Sequence, residues 1–335
     1  MRRATHFGPS IAHVGGMATV IRTYTEHQIG ADEVRCAPTW IPGSRVRSAA
    51  HMLRAVARVV RFRSDDVAHV HVSEGGSFVR EGAVIAAASL GRGTVVVAVH
   101  GARFAESARG RRRLVAWVLR RADAIVVLGE TDGALVATLA PGVPVELVLN
   151  PTPIDTHALP AAETAEIVLF GGEVGRRKGA DVLERAWPLV AARRPKARCV
   201  VVGPRTGEHA IQGERMELRG AVGRQEMRRL LHASRVVALP SRQEALPMML
   251  TEAMAAGRPF VATPVGAIPS ISAGGTLVPV GDAQALADAL VELLADPAAA
   301  ERVGRRGQRF CAEAQNVRVI DERIRAVYAR ACGHR

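Results

Sequence analysis

Short apolar runs alternate with stretches of helical periodicity along almost the whole chain. The first run, Ala4–Phe7, leads into a glycine-containing loop, Gly8–Gly16, and then a predicted helix over Met17–His27. Further strand-length runs fall at Val67–Ser73, Thr94–Val99, Ala124–Leu128, Glu166–Phe170, Arg198–Gly203, Glu217–Gly220, Val236–Leu239 and Pro259–Ala262. Between them lie amphipathic segments, and Val317–Ala331 predicts a closing helix. Strands separated by helical stretches argue for parallel α/β sheets. Val145–Ile154 reads as a strand running into a linker, where Pro151 and Pro153 disfavour helix. The chain therefore divides into a domain over 1–150 and another over 151–315.

Two segments are basic as well as amphipathic. In residues 45–63, Leu53, Val56, Val59 and Val60 recur at helical spacing, with Arg54, Arg58, Arg61 and Arg63 elsewhere on the helix. This suits a surface helix of the first domain, or one that docks on anionic lipid. Arg109–Arg121 predicts a second basic helix. In the second half, Lys178 and Gly179 precede a helix whose apolar face takes in Val182, Leu183, Ala186 and Leu189. A lysine beside the free N–H groups of a helix start suits a diphosphate.

The densest pattern is Val236–Ile271. A strand runs into a loop carrying Ser241 and Glu244, then a helix with Pro247 in its first turn, Glu252 inside it and Gly257 as a left-handed cap. The N–H groups of residues 245–249 are expected to point into one space, a ready phosphate site. Taken singly, Glu244 could merely complement the helix dipole, and Glu252 could be a solvated helix residue.

The 335 residues suffice for two domains of ordinary size, and the 48% apolar content allows sizeable cores. No apolar run is long enough to span a bilayer, and the first residues lack a hydrophobic signal core, so the expected location is cytoplasmic. The net charge of +13 is carried almost wholly by arginine, with Lys178 and Lys196 the only lysines. It favours anionic partners without choosing among them. Nucleic acid is not expected, because no basic motif carries aromatic residues. The four cysteines are far apart in sequence, so neither a zinc site nor a disulfide framework is suggested. His69 and His71 share one face of a strand, but no further ligand is evident, and a structural pair is expected.

The string PSRQEALPMMLTEAMAAGRPFVAT at 240–263 resembles the glutamate-pair motif of retaining glycosyltransferases of the large two-domain family 4. HVHVS at 69–73, SFVR at 77–80 and HGARF at 100–104 resemble a subgroup of the same family. GGEVGRRKG at 171–179 resembles its phosphate-binding stretch, with Glu173 where an arginine is usual; Arg176 or Arg177 could supply the charge. Ser270 stands where a downstream acid is common. The resemblance implies an α/β fold of two Rossmann-like domains facing a cleft (GT-B), with segment 316–335 packing back on the first.

The resemblance also implies an activity. A hexose-type sugar would pass from a UDP- or GDP-linked donor to an acceptor hydroxyl with retained anomeric configuration, in polysaccharide, glycolipid or glycoconjugate synthesis. No further cofactor and no metal are expected. His100, Glu244 and Lys178 are the expected catalytic residues. Gly16, Arg177, Lys178, Glu244, Ala245, Leu246, Pro247, Met248 and Glu252 are expected to hold the donor. Acceptors would be sugars, lipid-linked saccharides or glycoconjugates, consistent with peripheral contact at the inner face of an anionic membrane. Two alternatives share the fold: a nucleotide-sugar epimerase, and a catalytically weak nucleotide-sugar binder.

Overall fold

The computed structural model describes residues 2–13, 15–206 and 211–333. Val14 of the glycine loop and the last two positions of segment 316–335 lie outside the described residues. The chain forms two compact units, Met1–Pro151 with Val317–Arg335, and Thr152–Asn316.

The first unit runs β1 (Arg3–Pro9), α1 (Gly16–Glu26), β2 (Glu33–Trp40), α2 (Arg45–Val59), β3 (Asp66–Val72), α3 (Gly76–Ala88), β4 (Thr94–Val99), α4 (Phe104–Gly110), α5 (Arg112–Leu119), β5 (Ala124–Val127), α6 (Glu130–Leu139) and β6 (Val145–Leu147). The second unit runs β7 (Ile167–Gly171), α7 (Ala180–Arg193), β8 (Arg198–Val202), β9 (Met216–Leu218), α8 (Arg224–Ala233), β10 (Val236–Leu239), α9 (Met248–Ala255), β11 (Phe260–Ala262), β12 (Gly275–Leu277), α10 (Ala283–Ala295) and α11 (Pro297–Ala314). Then α12 (Val317–Gly333) completes the first unit. Among the described residues each sheet has six strands, in the orders β2-β1-β3-β4-β5-β6 and β12-β11-β10-β7-β8-β9. All pairings are parallel.

The physics of covered parallel sheets explains the central strands. Every residue of β3, β4 and β10 is buried, which valine-rich runs tolerate because helices cover both faces. Edge strand β2, EVRCAPTW, is half-exposed and carries a proline, so its composition gave no apolar run. The basic helix expected over Arg109–Arg121 is two helices, α4 and α5. They break at Arg111, whose φ of −135° and ψ of 33° leave helical space. In α7 the buried residues include Val182, Leu183, Ala186, Trp187 and Val190, while Leu189 is exposed. The expected apolar face was therefore misdrawn at one position.

Helix α12 buries Ile320, Ile324, Val327, Tyr328 and Ala331 within the first unit. The second unit begins and ends at one place: the Thr152 N–H donates to the Gln315 carbonyl at 2.8 Å.

Candidate active site

In the second sheet the strand order reverses between β7 and β10. Strands β8 and β9 extend to one side, β11 and β12 to the other. Open α/β sheets bind ligands beyond the carboxyl ends of strands at such a reversal. The segments leaving β7 and β10 there carry the predicted charged residues. A single 3-10 turn, Arg176–Lys178, follows β7, and the loop through Ser241 and Glu244 follows β10.

Lys178 Nζ donates to Glu244 Oε1 at 2.6 Å, and Ser241 Oγ donates to the same oxygen at 2.7 Å. Thr263, just past β11, in turn donates to the Ser241 carbonyl. Glu244 is buried, so its charge is offset by a cation and a hydroxyl rather than by water. Two glycines permit this convergence. Gly179 has φ +77°, and a Cβ there would lie 1.9 Å from the Pro240 carbonyl oxygen. Gly266 has φ +59°, and its Cβ would lie 2.1 Å from the Glu244 carbonyl oxygen. Arg242 fastens the arrangement from outside. Its guanidinium grips Asp181 with bonds of 2.7 and 2.8 Å, and its N–H donates to the Arg177 carbonyl at 2.8 Å.

Helix α9 enters beside this pair. Pro247 occupies the extended position before the helix (φ −72°, ψ 120°), not its first turn, and offers no N–H. The Leu250 and Thr251 N–H groups close on the Pro247 carbonyl. Within the first turn of the helix, the donors left for a ligand are therefore those of Met248 and Met249. Ala245 and Leu246 line the approach, Leu246 buried and Ala245 part-exposed, and the Ala245 carbonyl accepts from Ala267 at 2.8 Å. Gly257 does cap the helix end, at φ +66°.

Glu252 is part-buried within α9. Burial pushes its carboxyl up to about 7, against the pull of the Arg224 guanidinium. Arg224 opens α8 and was not anticipated; its only sequence signal is a basic residue at a helix start. Arg177 donates to Glu173 at 2.8 Å, and Thr206 donates to the other oxygen of that carboxylate at 2.8 Å. The Arg177 guanidinium first, with Thr206 assisting, lowers the Glu173 pKa. The unexpected acid is thus neutralised locally, and Arg177 is engaged by Glu173. Ser270 turns inward on its own segment, donating to the Ala267 carbonyl at 2.7 Å.

Gly16 and His100 are residues of the first unit. Gly16 is the first residue of α1, and His100 directly follows β4. Here the structure corrects the reading of His69 and His71 as an isolated pair. Parallel register sets His6 of β1 beside His69 of β3, and nitrogen atoms of His6, His69 and His71 lie within 4.8 Å of one another. The rings of His69 and His71 are nearly parallel, 5° apart in plane with centroids 4.6 Å apart. A ring nitrogen's lone pair lies in the ring plane, so stacked rings of this kind do not aim at one ion about 2.0–2.1 Å away. The nitrogens instead join edge to edge. His6 Nδ1 meets His71 Nε2 at 2.8 Å, and His71 Nδ1 meets His100 Nε2 at 2.9 Å. His69 Nδ1 meets the Tyr328 hydroxyl of α12 at 2.6 Å. Burial lowers the His100 pKa to about 4 and that of His6 to about 3, and it holds His69 and His71 well below the usual range.

Among the described residues no helix is long and apolar enough to cross a membrane. Residues 165–296 match the family described as glycosyl transferases group 1. The chain is 30% identical over 222 residues to D-inositol 3-phosphate glycosyltransferase of Streptomyces avermitilis, covering 59% of this chain and 47% of that protein. It is 28% identical over 205 residues to a GDP-mannose-dependent monoacylated alpha-(1-6)-phosphatidylinositol monomannoside mannosyltransferase of Corynebacterium glutamicum, covering 56% and 54%. The chain thus spans about half the length of the curated relatives it matches. Sucrose-phosphate synthase of Thermosynechococcus elongatus shares the fold over 100% of both chains, with a TM-score of 0.79 at 19% identity. Anabaena HepE, solved with UDP-glucose, does so over 98% of this chain and 100% of its own, with a TM-score of 0.76 at 14% identity. The fold is that of the two-domain GT-B glycosyltransferases.

Proposed function

We propose, for a chain whose residues 165–296 are a glycosyl transferases group 1 segment, that it transfers a hexose-type sugar from a nucleoside diphosphate sugar to an acceptor hydroxyl with retained configuration. The observation that carries this reading is the Lys178–Glu244 pair at the strand reversal, beside the start of α9. Departure of the nucleotide builds negative charge on a diphosphate. Lys178 and the Met248 and Met249 N–H groups are the donors that stabilise it. Both bonds to Glu244 fall on Oε1, which leaves Oε2 to accept from a donor sugar hydroxyl or to face charge developing at the anomeric carbon. Glu252 accepts from the two ribose hydroxyls. His100 serves the transferred sugar. Departing phosphate takes the acceptor proton, so no strong base of the protein is needed.

The arginine usual at position 173 is replaced, but the Glu173–Arg177 pair removes the repulsion an acid would otherwise offer the donor. This weakens the reading of a merely nucleotide-binding protein. Acceptors to test first are phosphorylated polyols and lipid-linked saccharides, because matched relatives are named for inositol phosphate and phosphatidylinositol mannoside. Helix α2 supports contact with an anionic membrane surface. Val46, Leu53 and Val60 form one exposed apolar stripe at seven-residue spacing, and exposed Arg54, Arg58 and Arg61 lie beside it.

A panel of UDP- and GDP-linked sugars and free nucleotides, screened by thermal shift, tests the donor assignment. One nucleotide class is expected to raise the midpoint, and Glu252→Ala to abolish the rise. Mass spectrometry of products with these acceptors then tests transfer. Failure of every nucleotide to bind, with acceptor or without, would sink the proposal.

A further inference from the structure

The edge-to-edge chain His6–His71–His100 has a consequence for the nitrogen that His100 presents. Each of these rings is neutral near pH 7, since burial lowers all three, so each carries a single ring proton. His71 bridges the other two, with Nε2 on His6 and Nδ1 on His100. One proton on His71 can serve only one of these bonds, and the neighbour must donate the other. The two hydrogen bonds therefore run in the same direction along the chain. If they run outward, His6 Nδ1–H donates to His71 and His71 Nδ1–H donates to His100 Nε2. His100 then keeps its proton on Nδ1, the nitrogen His71 does not engage. If they run inward, His100 Nε2–H donates to His71, and His100 Nδ1 is a bare lone pair.

The far end of the chain selects between these directions. Among the described residues, His6 Nε2 is buried and has no hydrogen-bond partner. Inward polarity would place an N–H there with no acceptor. Outward polarity leaves only an unfilled lone pair. Buried orphan N–H groups are the rarer state. The rings of Tyr24 and His69 pack against His6, with centroids 4.7 and 4.5 Å away. The ring of His69 has its own partner, Tyr328, through Nδ1.

We infer that His6 and His71 are positioning residues that hold His100 as its neutral Nδ1–H tautomer, so that it offers its ligand a hydrogen-bond donor and not a base. The inference deepens the proposed transfer reaction and rests on it only for the identity of that ligand, a hydroxyl or ring oxygen of the sugar. A donor there agrees with a reaction in which the leaving phosphate takes the acceptor proton. It also assigns a purpose to two deeply buried histidines.

Two-bond proton–nitrogen correlation spectra of the full chain, with 15N-labelled histidine at neutral pH, test this directly. Wild-type His100 is expected as Nδ1–H, with His71 and His6 in the same tautomer. In His71→Phe, which keeps a planar ring but removes both nitrogens, His100 is expected to move to the Nε2–H form that free histidine favours. His6→Phe is expected to move it part of the way. A wild-type His100 found as Nε2–H overturns the inference, and this outcome stands even if neither variant folds. So does a His100 tautomer unchanged by His71→Phe. With a transferring donor in hand, His71→Phe is expected to lose roughly tenfold in kcat/KM, the worth of one neutral hydrogen bond. If no sugar is transferred but the tautomers are as stated, the reaction assignment fails and the positioning role survives.

Discussion

Glu252 shows how a residue proposed to bind nucleotide can weigh on the protein that carries it. Its carboxyl is pushed up to about 7 by burial, so in the ligand-free protein ionisation is disfavoured relative to the unfolded chain. The folded state then binds more protons than the unfolded one, and stability falls as pH rises. The fall begins above the ordinary carboxyl range and is complete above about 7. Glu252→Gln is therefore expected to stabilise the free protein by about 2 kcal/mol at pH 8 and to change little at pH 4, read by urea denaturation. The same variant is expected to lose affinity for nucleotide, because an amide accepts fewer hydroxyl donors than a carboxylate. At Lys178 the sign is reversed. Lys178→Ala leaves the buried Glu244 charge without its cation and removes the proposed diphosphate donor. Expected are a loss of about 3 kcal/mol in stability and a fall of about 10²–10³ in kcat. Denaturation and steady-state kinetics measure the two separately. These charged residues were legible in sequence because they lie in one short string. His6 was not legible as a partner of His71, since the two are 65 positions apart and meet only through the β1–β3 register.

At the scale of elements, the turn before α7 and the loop after β10 meet through the Lys178–Glu244 pair and, at Gly179 and Pro240, through backbone in direct contact. Gly179→Ala demands both a left-handed alanine and a carbonyl displaced from 1.9 Å contact. The expected cost is about 2–4 kcal/mol, with nucleotide binding lost beyond what that instability explains. Thermal melts with and without nucleotide check it. The central strands could be read from sequence because burial on both faces requires unbroken apolar runs. Edge strands β2 and β12 could not, because half-exposed strands mix polar residues and glycine into the pattern. The split of α4 from α5 was hidden for another reason. Gly110 and a run of arginines keep an acceptable helical pattern, and the break is fixed by how Phe104, Ala108 and Val115 reach one core.

At the scale of the whole molecule, the first unit is built from two distant parts of the chain and the second from one. Tyr328 and Ile324 of α12 are fully buried, and Asp321 accepts from the Gly30 N–H at 2.6 Å. Ending the chain at Asn316 is expected to unfold the first unit while leaving residues 152–316 folded. Limited proteolysis with mass spectrometry should find the cuts confined to residues before 151. The expressed segment 152–316 is expected to melt cooperatively by itself. Dispersed, non-cooperative unfolding of that segment would contradict its closed core.

The bond between Thr152 and Gln315 gives the second unit a further property. Its entry and exit lie a single hydrogen bond apart, so the unit is an insertion with coincident ends. Such a cassette can be grafted between related chains without respacing the host at the two junctions. Under the proposed function, new donor preference would then be acquired by exchange of one contiguous stretch of gene, while the histidine-bearing host is inherited intact.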